Sequence, residues 1–74
     1  MQLDQVPVGR TVVVRSVHPP TLRSQALRLG IGVGARLEVV RRLKGGPVVV
    51  RSPAGQLAVG KELAQGIEVE AYND

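Results

Sequence analysis

Residues 22–40 read LRSQALRLGIGVGARLEVV, and this stretch decides how the chain folds. Its first half spaces apolar side chains by four and three positions, which predicts a short helix over residues 21–29. Gly30 follows, and glycine commonly ends a helix because it adopts the left-handed conformation without steric cost. Apolar and polar side chains then alternate over residues 35–43, as in a half-buried strand. The stretch therefore predicts a short helix that leads directly into a β-strand.

The predicted helix has one face that suits burial. Leu22, Ala26 and Leu29 share that face, and Leu27 lies beside it. Thr21 is the expected N-cap, since its hydroxyl can accept a hydrogen bond from a first-turn amide. Ile31, just after the terminal glycine, is expected to fold back over the last turn.

Four further strands are predicted outside this stretch, with glycine-rich turns between several of them. Two adjacent glycines in Lys44-Gly45-Gly46 are typical of a tight hairpin turn. A single helical turn is expected over residues 61–65, and residues 72–74 are expected to fray. The remaining strands are predicted at residues 11–17, 47–52, 56–59 and 67–71. Five short strands and one short helix in 74 residues predict a mainly β, partly open SH3-like barrel that forms a single domain over residues 1–74.

The composition gives further information on the core of the protein and on its cellular compartment. Ten Lys and Arg against six Asp and Glu give a net charge of +4, and there is no cysteine. Tyr72 is the sole aromatic residue, so the core must be aliphatic. The sequence lacks a signal-peptide pattern and an apolar run of the ~20 residues that a membrane span requires. These features predict a cytoplasmic protein without disulfides and without direct membrane insertion.

The order of elements and motifs resembles that of the FeoA family over almost the whole chain. The resemblance rests on Leu-Gly-Ile at residues 29–31 with Gly34 behind it, and on Gly-Pro-Val at residues 46–48. It extends through Leu-Ala-Val at residues 57–59 and the final strand. It implies an SH3-like barrel that assists ferrous iron uptake, with the membrane transporter FeoB as the expected partner. Through that partner the chain could be held at the membrane.

The resemblance also implies that this is a stand-alone domain with no cofactor. A similar domain ends iron- and manganese-dependent repressors, which carry an upstream helix-turn-helix segment that is absent here. No residue of the family pattern corresponds to a catalytic group. Gly30, Gly34 and Gly46 are interpreted as structural glycines that serve backbone conformations.

Catalytic and metal chemistry are both disfavoured by the residues themselves. His18 is the single imidazole, and candidate partner ligands are scattered along the sequence. No motif joins a serine to it as a nucleophile. The glycines of residues 30–34 follow a helix, whereas phosphate-binding loops precede one. The chain is therefore predicted to be neither an enzyme nor a metal or nucleotide carrier.

The candidate partner-binding residues are cations and one leucine. Arg41, Arg42 and Lys44 precede the hairpin turn and Arg51 follows it, which makes this the densest basic region of the sequence. Leu27 is the apolar residue nearest to solvent on the predicted helix, and it stands between Arg23 and Arg28. Two alternatives stay open: a small basic nucleic-acid-binding barrel, which the lack of stacking aromatics disfavours, and a modulator of the transporter's GTP-binding domain. The oligomeric state is left open.

Overall fold

The computed structural model describes residues 1–72 of the chain. Two 3₁₀ turns lie at Leu3–Gln5 and Pro20–Leu22. The helices are α1 at Arg23–Arg28 and α2 at Lys61–Gly66. The strands are β1 at Thr11–Val17, β2 at Arg36–Arg42, β3 at Val48–Ser52, β4 at Gly55–Val59 and β5 at Ile67–Ala71.

The five strands form one antiparallel sheet in the order β4-β3-β2-β1-β5. Since β4 and β5 are the two ends of this order, the sheet curls without closing into a complete barrel. The N-terminal segment covers the outer edge of β5, because the amide of Val69 donates to the carbonyl of Met1 at 2.7 Å and Gln2 bridges to Glu68. The mainly β, SH3-like prediction is confirmed.

The core is aliphatic, as the single aromatic residue requires. It draws on every strand, both helices and the N-terminal 3₁₀ turn, and each member is at most 5% exposed. Branched side chains fill such a core by many small contacts, and their burial is the main stabilising contribution. The members are Leu3, Val6, Val12, Val14, Val17, Ala26, Ile31, Leu37, Val39, Val48, Val50, Val59, Leu63, Ala64, Ile67 and Val69.

The predicted helix is shorter than expected and begins differently. Residues 20–22 form a 3₁₀ turn, so α1 begins at Arg23 and no side chain caps it; the N-cap assigned to Thr21 was wrong. Leu29 was also placed wrongly on the buried face, because α1 ends before it and its side chain is 40% exposed. Ile31 does fold back: its amide donates to the carbonyl of Ala26 at 2.9 Å, and both side chains are fully buried.

The structural glycines separate into two groups. Gly30 and Gly34 have φ angles of 77° and 91°, which suit glycine and few other residues. The amide of Gly34 also donates to the carbonyl of Val14 at 2.8 Å, which fixes the loop between α1 and β2 against β1. At the hairpin turn the positive φ, 67°, belongs to Gly45. The conformational role that the sequence analysis assigned to Gly46 therefore belongs to Gly45.

A tight turn before β1 brings the N-terminal segment alongside β2. The amide of Arg10 donates to the carbonyl of Pro7 at 3.3 Å, and Gly9 has a φ of 95°. Gly9 then donates to the carbonyl of Val39 at 2.7 Å, while the amide of Val39 donates to the carbonyl of Arg10 at 3.0 Å. Two residues thus oppose one across the ladder, which is a glycine-type β-bulge. The turn at residues 7–10 is consequently held against β2 at Val39, the middle residue of that strand.

Tyr72 is better anchored than the sequence predicted. Its amide donates to the carbonyl of Thr11 at 3.0 Å, and its hydroxyl accepts a hydrogen bond from Nη1 of Arg36 at 3.2 Å. The Arg36 guanidinium lies 5.0 Å from the centre of the ring. The predicted fraying was wrong at this residue, and residues 73–74 lie outside the described part of the chain.

Candidate partner-binding surface

An apolar patch lies at the end of α1 and in the loop that follows. Leu27 is 73% exposed and Val33 is 70% exposed, the highest values among the large apolar side chains of residues 1–72. The Leu27 side chain lies over Gly32, where even a Cβ atom would come within 3.4 Å of its Cδ1 atom. We call Arg23, Leu27, Arg28 and Val33 the helix patch. Both arginines are exposed: Arg23 lies one turn before Leu27 on the same side of α1, and Arg28 is the residue that follows Leu27.

The sequence identified three members of the helix patch and missed the fourth. Val33 occupies a loop between two glycines, where no periodicity marks a residue as buried or exposed. Leu27 could be found because it stands beside the buried stripe of the helix. Arg23 additionally donates from Nε to the carbonyl of Val17 at 3.3 Å, which ties the start of α1 to the end of β1.

The hairpin cations occupy distinct positions rather than one cluster. Arg41 opposes Val49 on the outer face of the sheet, and Arg51 lies two residues further along β3. Arg51 donates to Oε1 of Glu38 at 3.1 Å, so its charge is offset by a neighbour on β2. Arg42 donates from Nη2 to the carbonyl of Val6 and thereby holds the N-terminal segment. The structure thus keeps Arg41 and Lys44 at the turn and gives Arg42 and Arg51 local partners.

The ion pairs among the described residues neutralise only a few of the positive charges of the chain. Within residues 1–72, Glu38, Glu68 and Glu70 form ion pairs, with Arg51, the N-terminal amine and Arg15 respectively. All three pairs lie on the outer surface of the sheet and are substantially exposed, so each contributes about 1 kcal/mol at most. The remaining cations are therefore the ones that face solvent with uncompensated charge.

A shallow groove crosses the outer face of the sheet beside Tyr72. It is bordered by Arg36, Glu38 and Arg51 on β2 and β3 and by Pro53 in the turn before β4. The groove is open and is lined by both polar and apolar groups. Its charged groups already interact within the chain: Arg51 pairs with Glu38, and Arg36 lies over the Tyr72 ring. This arrangement supports packing of Tyr72 more than it supports a bound small molecule.

The structure brings no acid–base or metal-binding cluster together among its described residues. In residues 1–72, no three His, Cys, Asp or Glu side chains are grouped so that they could hold a metal ion. His18 is exposed, and its amide donates to the carbonyl of Gly66 at 2.7 Å, which is a packing role for its backbone. The helices described here include none that is long and apolar enough to cross a membrane.

Comparison with known proteins agrees with the geometry. The FeoA domain model matches residues 1–71. The chain belongs to the FeoA family. A relative from Methanocaldococcus jannaschii named Fe(2+) transport protein A is 33% identical over 63 residues, which cover 84% of this chain and 76% of the relative.

Solved structures extend this FeoA assignment to the fold. The FeoA protein from Chlorobium tepidum superposes with a TM-score of 0.83 and 31% identity, over 99% of this chain and 71% of that one. A manganese-dependent transcriptional repressor superposes with a TM-score of 0.86 and 26% identity, over 97% of this chain and 36% of that one. The FeoA domain here thus has a role in ferrous iron uptake, and its family is a transport accessory family.

Proposed function

We propose that this FeoA domain is a non-enzymatic cytoplasmic adaptor that binds the ferrous iron transporter FeoB and regulates uptake. The observation that carries the proposal is the helix patch, because it is apolar, exposed and bordered by cations on a rigid barrel. Iron is the cargo of the transporter in this account, and the adaptor acts by contact.

The helix patch suits a protein partner because its apolar part is supported from beneath. Leu27 rests on the backbone of Gly32, and Ala26 next to it is fully buried in the core. Leu27 is therefore attached to a residue pair that the core anchors, while most of its own surface stays available to a partner. The two exposed apolar side chains offer surface that a partner can bury, and arginine is one of the residue types enriched at protein interfaces.

The hairpin cations have a supporting role in this proposal. Arg41 and Lys44 carry uncompensated charge at a projecting turn, and charges at such positions steer association more than they hold a complex. Arg42 and Arg51 contribute less, since each already has a partner within the chain. Affinity is thus assigned to the helix patch and orientation to the hairpin.

The nucleic-acid alternative finds less support in the structure. Single-stranded nucleic acid is usually held by aromatic side chains on which bases stack. Tyr72 is the sole aromatic residue, and the Arg36 guanidinium covers one side of its ring. Modulation of GTP hydrolysis is tested by measuring the rate of GTP turnover by purified FeoB with and without this domain.

The helix patch is tested with a pair of matched variants. Leu27→Gln with Val33→Gln removes its apolar part, and Val8→Gln with Leu43→Gln makes the same kind of change at the opposite end of β2. The first variant is expected to weaken binding to purified FeoB by about tenfold or more, and the second to leave it within about threefold. Equal losses in both variants, with unchanged urea midpoints, would contradict the proposal.

A further inference from the structure

The turn that precedes β1 and the hairpin turn that follows β2 lie side by side at one end of the barrel. The bulge at Gly9 and Arg10 pairs the first turn with Val39, and Arg42 donates to the carbonyl of Val6. The second turn is closed by hydrogen bonds between Leu43 and Pro47 and between Gly46 and Leu43. We call the residues Val8, Arg10, Arg41, Arg42, Leu43 and Lys44 the turn face.

The turn face combines positive charge with projecting apolar side chains. Val8 is 56% exposed and Leu43 is 40% exposed. Arg10, Arg41 and Lys44 are exposed, and none of the ion pairs found within residues 1–72 involves them. Arg42 adds a fourth cation, although one of its donors is engaged by Val6.

We propose that the turn face binds the surface of an anionic lipid bilayer. Cations close to such a surface are attracted by its negative potential, each by a factor of about five in partitioning. Val8 and Leu43 are exposed beside these cations, and apolar side chains that enter the headgroup layer add to the electrostatic attraction. Charge complementarity thus favours an anionic lipid surface as the partner that stays in contact with the turn face, whereas Arg41 and Lys44 act on the protein partner only by steering its approach.

This inference extends the proposed function and does not depend on it. α1 joins the end of β1 to the start of β2, whereas the hairpin turn joins the end of β2 to the start of β3. The helix patch and the turn face are therefore at opposite ends of β2. Lipid contact through the turn face would leave the helix patch free for a protein partner at the same membrane.

The inference is tested by sedimentation with protein-free vesicles. Vesicles of phosphatidylglycerol and phosphatidylcholine are compared with vesicles of phosphatidylcholine alone, at 0.1 M and 1 M salt. Binding is expected only to the anionic vesicles and only at the lower salt, because the Debye length falls from about 10 Å to about 3 Å. Equal binding to both vesicle types, or no binding to either, would overturn the inference.

Two matched variants separate the turn face from net charge. Arg41→Gln with Lys44→Gln is expected to reduce partitioning into anionic vesicles by about 25-fold, as two cations are lost. Arg23→Gln with Arg28→Gln removes the same charge from α1 and is expected to change partitioning by less than about threefold. Equal losses in the two variants would show a non-specific effect of net charge and would overturn the inference.

The position of contact can be read directly because the chain contains no cysteine. Leu43→Cys and Leu27→Cys each create a single site for an environment-sensitive fluorophore. On addition of anionic vesicles, the label at position 43 is expected to shift to shorter wavelength and the label at position 27 to stay unchanged. A shift confined to position 27 would place the lipid contact at the helix patch and contradict the inference.

Discussion

The backbones of His18 and Gly66 are in direct contact where the end of β1 meets the end of α2. The His18 amide donates to the Gly66 carbonyl at 2.7 Å. A Cβ atom on Gly66 would overlap the His18 carbonyl oxygen and would come within 3.2 Å of Cδ1 of Leu22. Gly66 is therefore required by the closeness of two backbones, and His18 is positioned by its main chain while its imidazole stays exposed.

Gly66→Ala is predicted to destabilise the domain substantially. The added methyl group meets backbone, which can yield only by moving β1 away from α2, and overpacking of this kind costs about 1–3 kcal/mol. Gly60→Ala is the matched control, since nothing lies within 4 Å of a Cβ atom there. Urea denaturation of both variants measures the difference. Similar midpoints would show that the His18–Gly66 contact is looser than described.

The two glycines at 34 and 46 are predicted to respond differently to the same substitution. Gly34→Ala places a side chain at a φ of 91°, which is costly for any residue other than glycine, by about 1–2 kcal/mol. Gly46→Ala has no positive φ to maintain and meets Leu43 Cβ at 3.4 Å, a contact that the exposed turn can accommodate. We expect Gly34→Ala to lower the free energy of unfolding and Gly46→Ala to leave it within about 0.5 kcal/mol. The reverse order would contradict the assignment of the turn conformation.

The contact between Arg36 and Tyr72 is predicted to be energetically coupled. An arginine 5.0 Å from an aromatic ring contributes about 0.5–1 kcal/mol at an exposed site. Arg36→Gln, Tyr72→Leu and the double variant form a cycle whose coupling energy is measured by urea denaturation. A coupling energy indistinguishable from zero would mean that Tyr72 is held by its backbone bond to Thr11 and not by its side chain.

Reversal of charge at the hairpin turn is predicted to slow association with the transporter. Arg41→Glu with Lys44→Glu changes two exposed cations that make no ion pair in residues 1–72, so the fold should be unaffected. The association rate constant, measured by stopped-flow at low salt, is expected to fall by about tenfold or more, while the dissociation rate constant changes little. A difference that persists at 0.5 M salt would argue against a steering role.

The positions of the five strands along the chain and the aliphatic core could be predicted from the sequence, because alternation and glycine turns are local signals. The start of α1 could not be predicted from the sequence, because Pro19 and Pro20 are compatible with either a capped helix or a 3₁₀ turn. In the structure Leu22 packs against Gly66 of α2, and residues 20–22 form the 3₁₀ turn. Leu29 was wrongly placed on the buried face because the helix was predicted to include it. The helix ends at Arg28, so the side chain of Leu29 does not follow the helical spacing and lies partly in solvent.

The candidate site was only partly predictable for a related reason. The sequence predicts that Arg51 belongs to a basic hairpin, but the strand register places it opposite Glu38, with which it forms an ion pair. Val8 and Arg10 are distant in sequence from the hairpin, and they are brought beside β2 by the bulge at Val39 and by the hydrogen bond from Arg42 to Val6. Register and bulges depend on long-range pairing, which a single sequence does not encode locally.

The most direct test of the account is a titration of this FeoA domain against purified FeoB in detergent, with and without a GTP analogue, at two salt concentrations. We expect saturable binding that weakens at high salt and that is about tenfold or more weaker in the variant Leu27→Gln with Val33→Gln. Absence of binding under all conditions, or binding that this variant leaves unchanged, would contradict it.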